Sequence, residues 1–384
     1  MTKIASTAGP SSAVSLRLFG SVAEHGLAVV LPVCTLWFLL TGPHTVGNAL
    51  LWTLPVWLFI AVDFLSPPDR RAPARDLPAW PFDGLLYLLA ILQIANIVLM
   101  VVAASQLTWT GTENVILGVA NLLAIRILVG TNSCCSCIAV AHELIHRRGT
   151  FPRLLGRCLL LTVCYEHFAV EHLRRHHRHV GTAADPATAR FGETYAAYWR
   201  RTKLEQFRSA WALENARLGL QPGLRVSGKL LRHEVFLGAT AEIALTVLIL
   251  AHAGPAAAII FLLQALAAVR LLEAVNYFQH WGLERRAGLP EPFDAWVTES
   301  WFSRHVFVGL ARHSDHHRHG AKAYHRLDFC GRGPRLPYGY FGMALLAKSF
   351  NARFQRMARA ELLRYSQPNL DTAMREAVSS SPVT

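Results

Sequence analysis

The chain has 384 residues, of which 52% are hydrophobic and only 16% charged, and its mean hydropathy is +0.28. That is too apolar for an ordinary water-soluble protein of this length, and it points to a multi-pass membrane protein, since a helical span needs about 20 apolar residues. The net charge of +13 is unevenly placed and reads as a topology signal, so no nucleic-acid partner is expected.

Met1 to Phe19 is small and polar and carries no convincing cleavable leader, so the first apolar run is expected as a retained span. Six runs suit spans: 25–42, 46–65, 84–106, 115–141, 235–253 and 255–279. Lys3 and Arg17 precede the first, and Arg70, Arg71 and Arg75 lie between the second and third. Most other cations fall in 142–234 and beyond 280, while the connections 43–45, 107–114 and 252–255 have none. The positive-inside rule then makes 142–234 and 280–384 cytoplasmic segments, with both termini cytoplasmic and the whole chain one domain in the inner (plasma) membrane. The 27-residue run 115–141 is roughly 40 Å long as a helix, longer than the hydrocarbon core of about 30 Å. Its end should project into the cytoplasm, and 255–279 should do the same.

The remaining segments support this frame. The short apolar stretch Leu154–Val163 is expected as a buried or interfacial helix. The 195–233 region and 343–365 read as basic amphipathic helices on the membrane face, and the chain from Ser366 as a polar tail. Seven cysteines, three of them in the NSCCSC run at Cys134, Cys135 and Cys137, form no paired CxxC motif. Their small side chains suit close helix packing. Trp52 and Trp57 read as interfacial anchors or packing residues. Arg270 and Glu273, three apart, are expected to pair on one helical face, and Arg126 and Glu242 have no assigned role.

Nine histidines form four clusters where the apolar runs give way to basic sequence: His142 and His146 in HELIH; His172, His176 and His177 in EHLRRHH; His280 in NYFQHWGL; and His313, His316 and His317 in RHSDHH. Histidines four apart share a helical face, so His142/His146, His172/His176 and His313/His317 each offer two ligands. One ion takes three or four protein ligands in common sites, so nine imidazoles suffice for two. Imidazole suits Zn, Fe, Cu and Ni. The Glu and ExxH repeats of carboxylate-bridged bundles are missing, so a histidine-dominated di-iron centre fits best. HELIH also fits the HExxH zinc-protease signature with Glu143 as base, but that reading leaves six histidines unexplained, and a metal transporter is a further alternative. Glu143, Glu171, Glu273, Asp185 and Asp315 are candidate partners for ligand ring N–H groups. His167, His179, His305, His319 and His325 are left out as ligands.

Several of these stretches resemble the integral-membrane alkane hydroxylases, relatives of the membrane fatty-acid desaturases: HELIHRRG, HFAVEHLRRHHRHVGTAADPATARFGE, LLEAVNYFQHWGL, and LARHSDHH with LPYGYFGM, from about residue 115 to 346. The family usually has Gly where Arg175 stands, and Glu and Tyr where Gln279 and Trp281 flank His280. The resemblance implies an all-α membrane protein, six transmembrane helices under a cytoplasmic histidine-rich di-iron cap, with two iron ions on the nine histidines. It also implies O2-dependent hydroxylation of a terminal methyl on a membrane-dissolved apolar substrate such as a medium- or long-chain alkane, with electrons from a separate rubredoxin or ferredoxin and its reductase. Alkylbenzene hydroxylation, and desaturation or decarboxylation of a fatty acid to an alkene, are the alternatives on the same scaffold.

Overall fold

A computed structural model describes residues 10–73, 75–221, 228–285 and 294–366; Lys3 and the tail beyond Ser366 lie outside them. The described residues are helical with no strand, only the isolated bridges Pro68–Ser300 and Val297–Arg335. Five helical stretches are long and apolar enough to cross a bilayer: Val14–Thr41, Val46–Phe64, Trp80–Ser105, Thr112–Ile145 and Glu234–His280.

The first comprises α1 (Pro10–His25) and α2 (Val30–Thr41), joined by a 3₁₀ turn. It starts earlier than the apolar pattern indicates, because its charges find partners: Arg17 pairs with Asp76 at 2.6 Å, and Glu24 accepts from Arg71 at 2.9 Å and from the Trp301 indole at 3.1 Å. The second comprises α3 (Val46–Leu51) and α4 (Leu54–Phe64), and the third is α5 (Trp80–Ser105). Trp57 lies exposed, whereas Trp52 packs against Phe38 and His44. The fourth runs through α6 (Thr112–Asn132), a π-helical turn at Ser133–Ile138 and α7 (Ala139–Ile145), and so delivers HELIH at its end. The NSCCSC run spans the last residue of α6 and most of that π turn, and it is wholly buried.

Next come α8 (Thr150–Leu161), the short α9 (Phe168–Glu171), a π turn at His172–His176, α10 (His177–His179), and α11 (Tyr195–Leu218). On α8, Gly156, Leu159 and Leu160 are buried while Phe151 and Leu154 are exposed, as expected of an interfacial helix. A Cβ at Gly156 would stand 3.0 Å from the Ala141 carbonyl, so glycine lets α8 lie against α7.

The stretch Glu234–His280, α12, is interrupted at Gly254, whose φ of 82° leaves the helical region, with Pro255 following. Before the break, Glu242 accepts from the backbone N–H of Glu166 at 2.7 Å; after it, Glu273 accepts from the neighbouring Tyr165 hydroxyl at 2.8 Å. In one straight helix the two glutamates would stand roughly 46 Å apart. The chain therefore doubles back at Gly254, as the sequence break at 252–255 suggests. The second arm packs beside α6, where a Cβ on Gly130 would come within 2.6 Å of Ala267.

The final region holds α13 (Trp301–Val306), α14 (His313–Arg318), α15 (Tyr340–Ser349) and α16 (Asn351–Ser366). The expected single amphipathic helix is broken at Phe350, and α16 turns Phe354, Ala358 and Leu362 inward. Asp63, near the end of α4, binds this region from below: its carboxylate accepts from Ser300 Oγ (2.8 Å), Ser303 Oγ (2.7 Å) and the Gly342 N–H (3.1 Å).

Candidate metal centre

The structure brings all nine histidines together and sorts them into two groups. His142, His146, His172, His177 and His316 form one; His176, His280, His313 and His317 form the other. In each group, one ring nitrogen per residue lies within 4.8 Å of all the others. Seven of the nine are buried, with His146 and His177 partly so.

Helix phase explains the sorting. Consecutive helical residues point about 100° apart, so each doubled histidine hands one ring to each group: His177 and His316 to the first, His176 and His317 to the second. Residues four apart share a group at His142/His146 and His313/His317, as their spacing predicts. The expected pairing of His172 with His176 is corrected. The backbone there is π-helical, bonded i→i+5, and it aligns His172 with His177, whose Nε2 atoms lie 3.1 Å apart.

In the first group, Nε2 of His172 is also 3.1 Å from that of His146, and Nε2 of His177 is 3.1 Å from that of His316. In the second, Nε2 of His313 is 3.1 Å from that of His280 and 2.9 Å from that of His317. Nitrogens about 2.1–2.2 Å from a shared centre and at right angles to one another would be about 3.0–3.1 Å apart. His142 Nε2 is buried without any hydrogen-bond partner. Lone pairs facing one another in a dry interior are unfavourable unless a cation lies among them, so the donor set fits a metal ion in each group.

The protonation state agrees. Burial first, and mutual repulsion second, push His172, His177, His313, His316 and His317 well below the usual imidazole range, and bring His146 down to about 4. Neutral imidazole is the form that ligates. Tautomers are set for two rings. The Asp294 carbonyl can only accept, so His280 Nδ1–H donates to it at 3.2 Å and Nε2 is left as a lone pair.

For the other ring, Asp185 stands 2.9 Å from His176 Nδ1 and accepts from Thr188 Oγ1 at 2.6 Å. Burial opposes ionisation of Asp185, but His176 and Thr188 outweigh it and hold the carboxyl below its ordinary range. Asp185→Asn removes that charge and is expected to weaken metal retention about 10–100-fold under chelator challenge; unchanged retention would assign Asp185 to loop structure alone.

The other expected carboxylates show different surroundings among the described residues. Glu143 Oε1 accepts from Arg147 at 2.7 Å and from the Tyr324 N–H at 3.2 Å. Asp315 accepts from Lys322 (2.6 Å) and the Asp328 N–H (2.8 Å) and contacts His319 (3.0 Å), which binds the chain just after its helix. Glu171 is buried with Oε1 unpartnered, and burial, then the Asp185 and Glu273 charges, push its carboxyl well up.

Glu273 holds no ring and does not pair with Arg270. It accepts from Tyr165 Oη and Tyr198 Oη (2.8 Å each), Gln206 Nε2 (3.1 Å) and Asn276 Nδ2 (3.3 Å). Arg270 instead lies over the Trp199 ring, 5.7 Å from its centroid. Those tyrosines and Gln206 escape sequence reading, since nothing in their spacing points to a distant glutamate.

The residues flanking His280 form its scaffold. Gln279 bonds the Tyr340 hydroxyl, and Trp281 donates to the Glu193 carbonyl at 3.0 Å. Arg175 reaches Ser209 on α11 at 3.2 Å. His167, His305, His319 and His325 stand outside both groups, as does His179.

The fatty acid desaturase family matches residues 117–344. Alkane 1-monooxygenase 2 of Pseudomonas aeruginosa is 32% identical over 317 residues, covering 76% of this chain and 80% of that protein. Alkane 1-monooxygenase 1 of the same organism is 39% identical over 216 residues, covering 55% of this chain and 56% of that protein. More distantly, the hydroxylase component of xylene/toluene monooxygenase of Pseudomonas putida is 26% identical over 206 residues, 52% of this chain and 54% of that protein.

Proposed function

The chain belongs to the fatty acid desaturase family, among the alkane 1-monooxygenases, and from that footing we propose that it hydroxylates the terminal methyl of a medium- or long-chain alkane to a primary alcohol. Methyl group, O2, two electrons and two protons give the alcohol and water. The observation that carries this reading is the pair of buried all-imidazole groups at the ends of apolar helices. The nine histidines would hold two iron ions, five on one and four on the other. Bound iron supplies the O2 activation and oxidising power that no side chain has.

The protein's own residues do the rest. Asp185 and the Asp294 carbonyl fix two ring orientations. Phe168, stacked on His172 with centroids 4.7 Å apart, helps exclude water from that ring. The bilayer already dissolves an alkane, so burying its methylenes adds little affinity, and selection of the terminal carbon must come from the length and shape of the approach.

The doubling back at Gly254 supports six crossings, with both termini and the histidine cap on the cytoplasmic side of the inner membrane. The cation-free connections 43–45 and 107–114 are consistent with the opposite side. Electrons would come from a separate rubredoxin or ferredoxin with its reductase. Methyl hydroxylation of alkylbenzenes is a second reading, favoured by the likeness to the xylene/toluene hydroxylase component.

Purified protein assayed for metal, and cells supplying a rubredoxin system fed alkanes, alkylbenzenes and fatty acids, test both readings together. The expected result is about two irons per chain and 1-alkanols by gas chromatography. Alkenes without alcohols, or zinc in place of iron, would overturn it.

A further inference from the structure

Three cations have no acidic partner among the described residues: Arg126 on α6, Arg270 on the second arm of α12, and Lys348 on α15. Each of the two arginines ends a strip of lipid-facing side chains. On α6, Ile116, Val119 and Leu123 are exposed, and Arg126, three residues after Leu123, follows on the same face. On α12, Ile259, Leu262 and Leu266 are exposed, and Arg270 follows on that face. The two helices are in contact through Gly130 and Ala267, so the strips run side by side.

Where the strips end, the surroundings turn polar and aromatic. Trp199 of α11 takes Arg270 over its ring at 5.7 Å and Lys203 at 5.8 Å. The Tyr195 hydroxyl donates to the Arg270 carbonyl at 2.7 Å, which ties this level of α12 to the segment outside the spans. Arg270 Nε is buried without a partner. Lys348 is close enough to both arginines that, after desolvation, their charges depress its ammonium pKa. Like charges gathered beside a tryptophan at the end of an apolar groove repel one another unless an anion sits among them. Basic pockets between spans near the headgroup level are where anionic lipids bind.

We propose that Arg126, Arg270 and Lys348, with Trp199 as the wall, hold the phosphate of an anionic phospholipid whose acyl chains lie along the α6–α12 groove. The proposal rests on these helices crossing a bilayer and is independent of the metal chemistry.

The test uses the full chain purified in mild detergent, washed, and exchanged into vesicles of phosphatidylcholine alone or mixed equally with phosphatidylglycerol. Native mass spectrometry is expected to show phosphatidylglycerol retained by the unaltered protein. Retention should fall about 25-fold in Arg126→Gln/Lys348→Gln, the product of about fivefold for each interfacial cation. It should hold in Arg126→Lys, and in Arg353→Gln/Arg356→Gln on α16, which removes equal charge elsewhere. Gel-filtration profile and helical circular dichroism, unchanged in all three variants, serve as the folding check. Equal retention in the groove and α16 variants would overturn the site, as would inorganic phosphate alone matching the thermal stabilisation given by phosphatidylglycerol.

Discussion

His280→Ala is expected to purify with about one iron per chain where the unaltered protein holds about two, and with hydroxylation reduced more than about 100-fold. His280 is fully buried, belongs to the four-histidine group, and has its Nδ1 engaged by the Asp294 carbonyl. Its loss leaves three imidazoles in that group. His146→Ala removes one of five rings, a partly exposed one, so four ligands remain and the metal there should be loosened more than lost. The control is His325→Ala. That ring is buried and stacked on Phe82 at 4.2 Å, with neither nitrogen partnered, and it stands outside both groups. It should keep its iron and lose only packing stability. Iron analysis after gel filtration, with the iron spectrum of each variant, separates the cases. If His325→Ala loses as much iron as His280→Ala, the assignment of ligands by grouping is wrong.

The sequence makes the four clusters legible because metal ligation needs particular side chains at particular spacings, and those are written directly in HELIH, EHLRRHH and RHSDHH. How nine rings divide between two groups is another matter. The α-helical i, i+4 rule succeeds at His142/His146 and His313/His317 and fails at His172/His176, because one π turn changes the phase of everything after it. No local residue preference announces a π turn, as its stability comes from packing. The spans were legible from apolar runs, and the reversal at Gly254–Pro255 from the two residues that most disfavour helix continuation. The early start of α1 was not, since Arg17 and Glu24 look solvent-facing until Asp76, Arg71 and Trp301 are placed beside them. The same holds for Arg270 and Glu273. Their spacing permits a pair, but tertiary partners on α11 offer each a better one.

That exchange of partners gives Glu273 the second large expected effect. Its carboxylate, fully buried, receives hydrogen bonds from two tyrosines, Gln206 and Asn276. Tyr165 precedes the first-group residue His172 by two turns, while Tyr198 and Gln206 belong to α11, so one side chain clamps α11 and the approach to α9 onto the arm of α12 that carries His280. Glu273→Leu leaves those donors buried and unpaired, and is expected to destabilise the protein by about 3–5 kcal/mol. Glu273→Gln preserves shape and one acceptor oxygen, and the tyrosine hydroxyls can reorient, so its cost should stay near 1–2 kcal/mol. Unfolding in mixed mild detergent and dodecyl sulfate, followed by tryptophan fluorescence, measures both. Glu273→Leu protein that does fold should still bind iron, because no ring nitrogen depends on this carboxylate; its iron should leave faster as the α12 arm loosens. Were Glu273→Leu to unfold no more readily than Glu273→Gln, the hydroxyls would have found other acceptors and the clamp would lie in apolar packing. Iron lost from a Glu273→Gln protein of full stability would instead restore this carboxylate to a direct role at the metal centre.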